Sequence, residues 1–148
     1  MIVGVGLDLV DIARWAQNLA NIQARIFTAR ELAACAERAD RIDALAARFA
    51  AKEACLKALN VGIRQGALRQ IEIASNPVSA PRIYLREALG TQAHELGVRH
   101  AHVSLTHHEG IAAAVVILEG TRVRPGSHRA PLHSDEPWTL ETVMSGAW

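Results

Sequence analysis

Residues 41–59 run without a glycine or a proline, and alanine recurs throughout. Alanine is the best helix former and those two are the worst, so this stretch predicts the longest helix of the chain and the scaffold on which the rest must pack. Leu45, Phe49, Leu56 and Leu59 follow at intervals of four, seven and three. At about 100° per residue, that spacing gathers them into one apolar stripe. Lys52 falls inside the stripe, where its ammonium either snorkels to the rim or borders a charged site.

A chain of 148 residues, 50% of them hydrophobic, suits one compact domain with its own core. The charges, 16 Lys+Arg against 15 Asp+Glu, nearly cancel, which argues against nucleic acid or an anionic membrane as partner; an acidic partner must be met by a local patch. Cys35 and Cys55 lie in alanine-rich stretches without CxxC spacing and read as reduced, packed thiols. The opening MIVGVGLDLV is apolar but lacks a basic leader and reaches Asp8 well short of the roughly 20 residues of a membrane span. A cytoplasmic protein is the expectation.

Residues 2–10 are β-branched and punctuated by glycine, the pattern of a buried strand, with Asp8 as the anomaly near its end. A helix is expected over residues 11–20, and a second begins at Thr28, where Thr28-Ala-Arg-Glu31 has capping-box spacing. Short apolar runs at 71–74, 82–85, 101–105 and 111–118, with a helix over 86–96, give an α+β order rather than a regular βαβ alternation. The turn at residues 107–110 is short enough for an antiparallel hairpin. Beyond Gly120 the composition changes, because Pro125, Pro131, Pro137, Trp138 and Trp148 all fall there. The expected division is a domain over 1–120 and an extension over 121–148, disordered at first and then docked by its tryptophans.

Glu53 and Lys57, four residues apart, are by themselves an ordinary surface ion pair worth about 0.2–0.5 kcal/mol. Asp8 changes that reading. A carboxylate ending a strand, another on a helix and a lysine beside it are the parts of a hard-cation site that faces a phosphate, and Asp8 with Glu53 would suit magnesium. Gly62 and Gly66, after the long helix, either admit backbone amides to a phosphate or merely end the helix. His100 and His102 alternate along one strand and His107 and His108 follow in the turn, but no thiolate joins them at zinc-site spacing.

Three segments carry a resemblance: Gly4-Val-Gly-Leu-Asp8-Leu-Val-Asp-Ile-Ala-Arg14, Arg48-Phe-Ala-Ala-Lys52-Glu53-Ala-Cys-Leu-Lys57-Ala, and Ser104-Leu-Thr-His107. With Arg25-Ile-Phe-Thr-Ala-Arg-Glu31 and Gln70-Ile-Glu-Ile73 between them, the chain closely resembles the holo-acyl-carrier-protein synthase family over residues 1–119. The resemblance implies a 4'-phosphopantetheinyl transferase fold, with an antiparallel sheet packed on a long helix and shorter helices, in a homotrimer with its cleft between subunits. It implies transfer of phosphopantetheine from coenzyme A to a serine of an acyl carrier protein, with magnesium held by Asp8 and Glu53. Glu53 and Lys57 would take part in the chemistry. Arg48, Lys57, Gly62, Gly66, Pro81, Ser104, Thr106 and His107 would line coenzyme A, and Arg14 and Arg25 would meet the carrier protein.

The chain departs from the family pattern in a first helix that is less basic, in Asp11 and Gln70 where glutamate and aspartate are common, and in Ser79-Ala80 before Pro81. None of these removes a metal ligand. Two other readings compete: a non-catalytic oligomeric domain that binds coenzyme A or carrier protein, and a metal-binding histidine protein, which would leave the N-terminal motif unexplained.

Overall fold

The computed structural model describes residues 1–62, 66–76, 79–121 and 138–139. Its elements run β1 (Ile2–Asp11), α1 (Ile12–Ala16), α2 (Leu19–Ile26), α3 (Ala29–Cys35), α4 (Arg41–Ala58), a 3₁₀ turn (Ala67–Gln70), β2 (Ile71–Asn76), β3 (Ser79–Leu85), α5 (Glu87–Glu95), β4 (Val98–His108), β5 (Ile111–Gly120) and β6 (Trp138–Thr139). The strands form two antiparallel sheets, ordered β1–β5–β4 and β2–β3–β6. The α+β expectation holds, with two small sheets in place of one. Apart from the two residues of β6, which pair with Tyr84 and Leu85, the expected extension beyond Thr121 lies outside the described residues.

The long helix is buried nearly all round rather than along one stripe. Alanines on every side of α4 are enclosed together with Leu45, Cys55 and Leu56, as befits a helix packed between other elements. Small side chains let β1 approach closely: a Cβ on Gly4 would collide with the carbonyl of Ala58, and one on Gly6 with that of Ala54. The alternation of β1 follows from this contact, since Gly4, Gly6, Asp8 and Val10 share the face toward α4. The opposite face is open, with Val5, Leu7 and Leu9 57%, 58% and 66% exposed. The strand is thus half-buried, a correction to the expected buried one.

The predicted hairpin is present. His108 pairs with Ile111, so Glu109 and Gly110 form the whole loop, and their φ values of 47° and 79° are the positive pair of a turn whose twist matches the strands. The single helix expected over residues 11–20 is instead two, α1 and α2, with Gln17 and Asn18 as the turn between them. Trp15 packs on Phe49 at 5.5 Å between centroids, while Leu19 enters a separate cluster with Ile26, Phe27, Cys35, Ala44 and Leu45. Serving both contacts requires the chain to change direction between them.

The capping box at Thr28 forms, but Glu31 does more than cap. Its Oε2 accepts from Thr28 N at 2.8 Å and its Oε1 from Ile73 N at 2.9 Å, and Oε2 also pairs with Lys52 Nζ at 2.7 Å. Lys52 neither snorkels nor borders an open site: it is fully enclosed. Both cysteines are free and buried, and burial pushes the Cys55 thiol up to about 12. Among the described residues, no helix is long and apolar enough to cross a membrane.

Candidate active site

Asp8 reaches the site because β1 alternates. Lying two and four residues beyond Gly6 and Gly4, its side chain shares their face toward α4, and α4 presents Glu53 and Lys57 there. Lys57 Nζ donates to Asp8 Oδ1 at 2.7 Å and to the Leu7 carbonyl at 2.9 Å. The lysine therefore turns to the strand and not to Glu53, its neighbour one turn earlier.

Glu53 is buried, and among the described residues nothing donates a hydrogen bond to its carboxylate. Burial pushes its carboxyl up, the negative charge of Asp8 adds to this, and Lys57 opposes both. Beside the three groups opens a cleft of about 630 Å³, lined by Asp8, Asp11, Arg14, Trp15, Phe49 and Glu53 among others. Trp15 and Phe49 form its apolar wall.

The donors here are carboxylate oxygens alone. Two repelling carboxylates with a single lysine near them fit a hard divalent cation that takes one or two protein carboxylates and fills its other positions with water and phosphate oxygens. A thiolate- or histidine-based centre is not formed: among the described residues no group of three or more His, Cys, Asp or Glu could hold a metal. His102 Nε2 lies 2.7 Å from Glu119 Oε2, so the histidine-protein reading loses its centre.

The remaining predicted residues are distributed over several surfaces. Arg48 is buried, donating to the Ala44 carbonyl at 3.1 Å and to Ser75 Oγ at 2.6 Å. His107 lies near the start of α4, with Nε2 3.5 Å from Asp40 and Nδ1 3.8 Å from Asp43, while both oxygens of Asp40 accept from Arg38, one from Nε and one from Nη2. Ser104 and Thr106 are exposed on the sheet face that points away from α4: they pair with Val115 and Ala113, which pair in turn with Leu7 and Leu9. Gly62 lines a second cleft of about 310 Å³ with Asn60, Ala67, Gln70 and Gln92. Gly66, with φ of 84°, opens the 3₁₀ turn. Pro81 lies within β3. Arg14 and Arg25 are exposed on α1 and α2, and Arg14 is at the rim of the larger cleft.

A family model for the 4'-phosphopantetheinyl transferase superfamily matches residues 4–116. The chain belongs to this superfamily. It is 44% identical over 124 residues to the holo-[acyl-carrier-protein] synthase of Leifsonia xyli, across 80% of this chain and 98% of that protein. Its fold matches the crystal structure of the holo-[acyl-carrier-protein] synthase from Neisseria meningitidis with a TM-score of 0.72 and 31% identity, covering 80% of this chain and 99% of that one. The Helicobacter pylori holo-[acyl-carrier-protein] synthase, solved in complex with coenzyme A, matches with a TM-score of 0.63 and 30% identity over 78% and 99% of the two chains. The antiparallel sheet on a long helix, expected from the resemblance, is the fold of these transferases.

Two features of the site escape sequence reasoning. The aromatic wall of the cleft joins Trp15 to Phe49 across 34 positions, and the aspartates beside His107 stand more than sixty positions before it. No local spacing signals either contact.

Proposed function

We propose that this chain transfers the 4'-phosphopantetheine group of coenzyme A to a serine of an apo acyl carrier protein, giving the holo carrier and adenosine 3',5'-bisphosphate. The observation that supports the reading is that Asp8 and Glu53 line one open cleft and Lys57 binds Asp8 beside it, in a chain of this superfamily. Asp8 and Glu53 are assigned to hold Mg²⁺. When bound, that ion supplies positive charge against the pyrophosphate in the transition state.

The protein's own part is placement and charge. Lys57, exposed and paired with Asp8 beside the cleft, swings its ammonium onto the pyrophosphate and balances the charge that builds on the leaving side. Glu53 is also the carboxylate assigned to the serine proton. Trp15 and Phe49 keep water from the wall against which the reacting groups meet. Arg14, at the rim, and Arg25 meet the acidic face of the carrier.

Arg48, Gly62, Gly66, Pro81, Ser104, Thr106 and His107 are assigned to coenzyme A. Their scatter bears on assembly: Ser104 and Thr106 face away from α4, while Asp8 faces it and Glu53 belongs to it. A second copy of the chain brings two such surfaces together, and the exposed Val5, Leu7 and Leu9 give it an apolar face to pack on. A homotrimer with composite clefts is the assembly we assign, with residues 1–120 as the transferase domain and the cytoplasm as its location.

The test is mass spectrometry of an apo acyl carrier protein incubated with the purified chain, coenzyme A and Mg²⁺. Addition of one phosphopantetheine, absent with Glu53→Ala or with chelator, is the expected result. No addition across several fatty-acid and polyketide carriers would replace the transferase by a domain that only binds coenzyme A or carrier.

A further inference from the structure

Resting on the assignment of Glu53 to the metal, we infer that Lys52 is a positioning residue: it sets the roll of α4, hence the aim of Glu53, and holds the segment that follows Gly66. Its ammonium is enclosed and meets four acceptors, Glu31 Oε2 at 2.7 Å, the Ile26 carbonyl at 2.8 Å, the Leu68 carbonyl at 2.9 Å and the Ile71 carbonyl at 2.5 Å. These come from the end of α2, from α3, from the 3₁₀ turn and from the first residue of β2. The Phe27 ring lies 5.4 Å from the nitrogen. An ammonium has only three protons, so each is committed and none serves solvent.

Lys52 and Glu53 are neighbours on one helix and point about 100° apart. The lysine is pinned toward α2, the 3₁₀ turn and β2, and the glutamate faces Asp8. On the strand side α4 meets Gly4 and Gly6 at Ala58 and Ala54, where close approach leaves no strand side chain to resist rotation, and the Lys57 contact to Asp8 is exposed. Four polar contacts on the other side supply that resistance. Glu31 does not drift either, since Thr28 N and Ile73 N hold its two oxygens. The same ammonium grips Leu68 and Ile71, two and five residues beyond Gly66, so the helix bearing the carboxylate and the segment assigned to coenzyme A share one anchor. Filling this space would need only an apolar side chain; a charge that collects carbonyls from separate segments fixes an orientation as well.

The test is Mn²⁺ binding to the full chain, followed by the electron paramagnetic resonance signal of the free ion, with folding checked by circular dichroism. The variant pairs Lys52→Met with Glu31→Gln, so that no buried charge is left alone. Loss of groups that orient a metal ligand weakens binding about 10- to 100-fold, and a weakening in that range in a folded variant is the expected result. A folded variant that melts earlier yet binds Mn²⁺ as tightly as the wild type would reduce Lys52 to a structural staple and overturn the inference. If the paired variant does not fold, Glu31→Gln alone carries the test: several-fold weaker binding supports the role and unchanged binding removes it. The wild type and Glu53→Gln separate the two levels of the argument, because wild-type chain that binds no Mn²⁺, or binds it equally without the Glu53 carboxylate, overturns the metal assignment and the inference with it.

Discussion

Two lysines five residues apart on α4 have opposite fates. Lys52 is sealed inside, its ammonium surrounded by one carboxylate and three carbonyls, whereas the Lys57 side chain is 53% exposed and touches one carboxylate and one carbonyl at the cleft. Burial pulls the Lys52 ammonium below its ordinary range, and Glu31 resists that pull. The acids divide the same way. Glu31 is satisfied at both oxygens, while Glu53 is buried with no donor among the described residues and is pushed up. A buried charge with a full set of partners holds a fold together; a half-desolvated carboxylate that opens on a cleft without protein donors is free to meet a ligand.

The strongest way to break this comparison is to neutralise Glu53. If the carboxylate is kept for the reaction, Glu53→Gln lowers transfer on the order of a thousandfold, the several kcal/mol a metal-held charge contributes, and raises Tm at neutral pH. The sign follows from the direction of the shift. A carboxyl raised in the folded state contributes stability that is fully present below its unfolded value of about 4.3 and is lost as pH rises through the folded value. The Tm advantage of the variant therefore grows from pH 4 toward pH 7. A melting series that shows Glu53→Gln less stable than wild type at neutral pH would place Glu53 in the structural class with Glu31.

Removing the other charge tests the opposite half. Lys52→Met leaves Glu31 buried without its cation, a loss of about 3–5 kcal/mol, which in a chain of this size lowers Tm by roughly 10 °C or more. Thermal denaturation at neutral pH measures it. A drop of only one or two degrees would mean that the interior tolerates the unpaired carboxylate and that the contrast between the lysines is one of exposure alone.

A smaller effect comes from the contact that brings the strand to both sites. Gly6→Ala puts a methyl group into the carbonyl of Ala54, and β1 must retreat from α4. Overpacking of this kind costs about 1–3 kcal/mol, and the retreat carries Asp8 away from Lys57, so transfer falls along with Tm. A variant with wild-type Tm and activity would show that the close approach is not what sets the Asp8 position.

The sequence is most legible where the decisive interaction is local. The long helix is visible in its alanines, the cap in Thr28 and Glu31, and the hairpin in a turn ending in glycine. It is illegible where distant segments compete. Nothing near Gln17 and Asn18 marks a helix break, because the break answers to Phe49 and Phe27. Nothing in the apolar pattern of β1 distinguishes burial on both faces from burial on one. Lys52 falls in an apolar stripe whichever way its ammonium goes, and its destination depends on carbonyls 16 to 26 positions away. The family resemblance implies residue roles past this limit, and a cleft between subunits, without saying that Ser104 and Thr106 are the residues one chain leaves on the sheet face opposite Asp8.

The smallest stability effect falls on Lys57, and it sharpens the comparison most. An exposed pair such as Lys57 with Asp8 contributes about 0–1 kcal/mol, because water already solvates both charges and two side chains are ordered to join them. Lys57→Gln therefore shifts Tm by no more than roughly 3 °C. Its effect on substrate is larger, since a hydrogen bond to a charged phosphate is worth about 1.5–3 kcal/mol, and KM for coenzyme A rises about tenfold or more. Steady-state kinetics beside a melting curve measure both. High salt screens the exposed pair and leaves the enclosed one untouched, so raising ionic strength should move the wild type toward Lys57→Gln in KM while leaving the gap in Tm between the wild type and Lys52→Met unchanged. If Lys57→Gln instead melts as early as Lys52→Met, the two lysines serve the fold alike, and the division of α4 into an anchoring side and a reacting side fails.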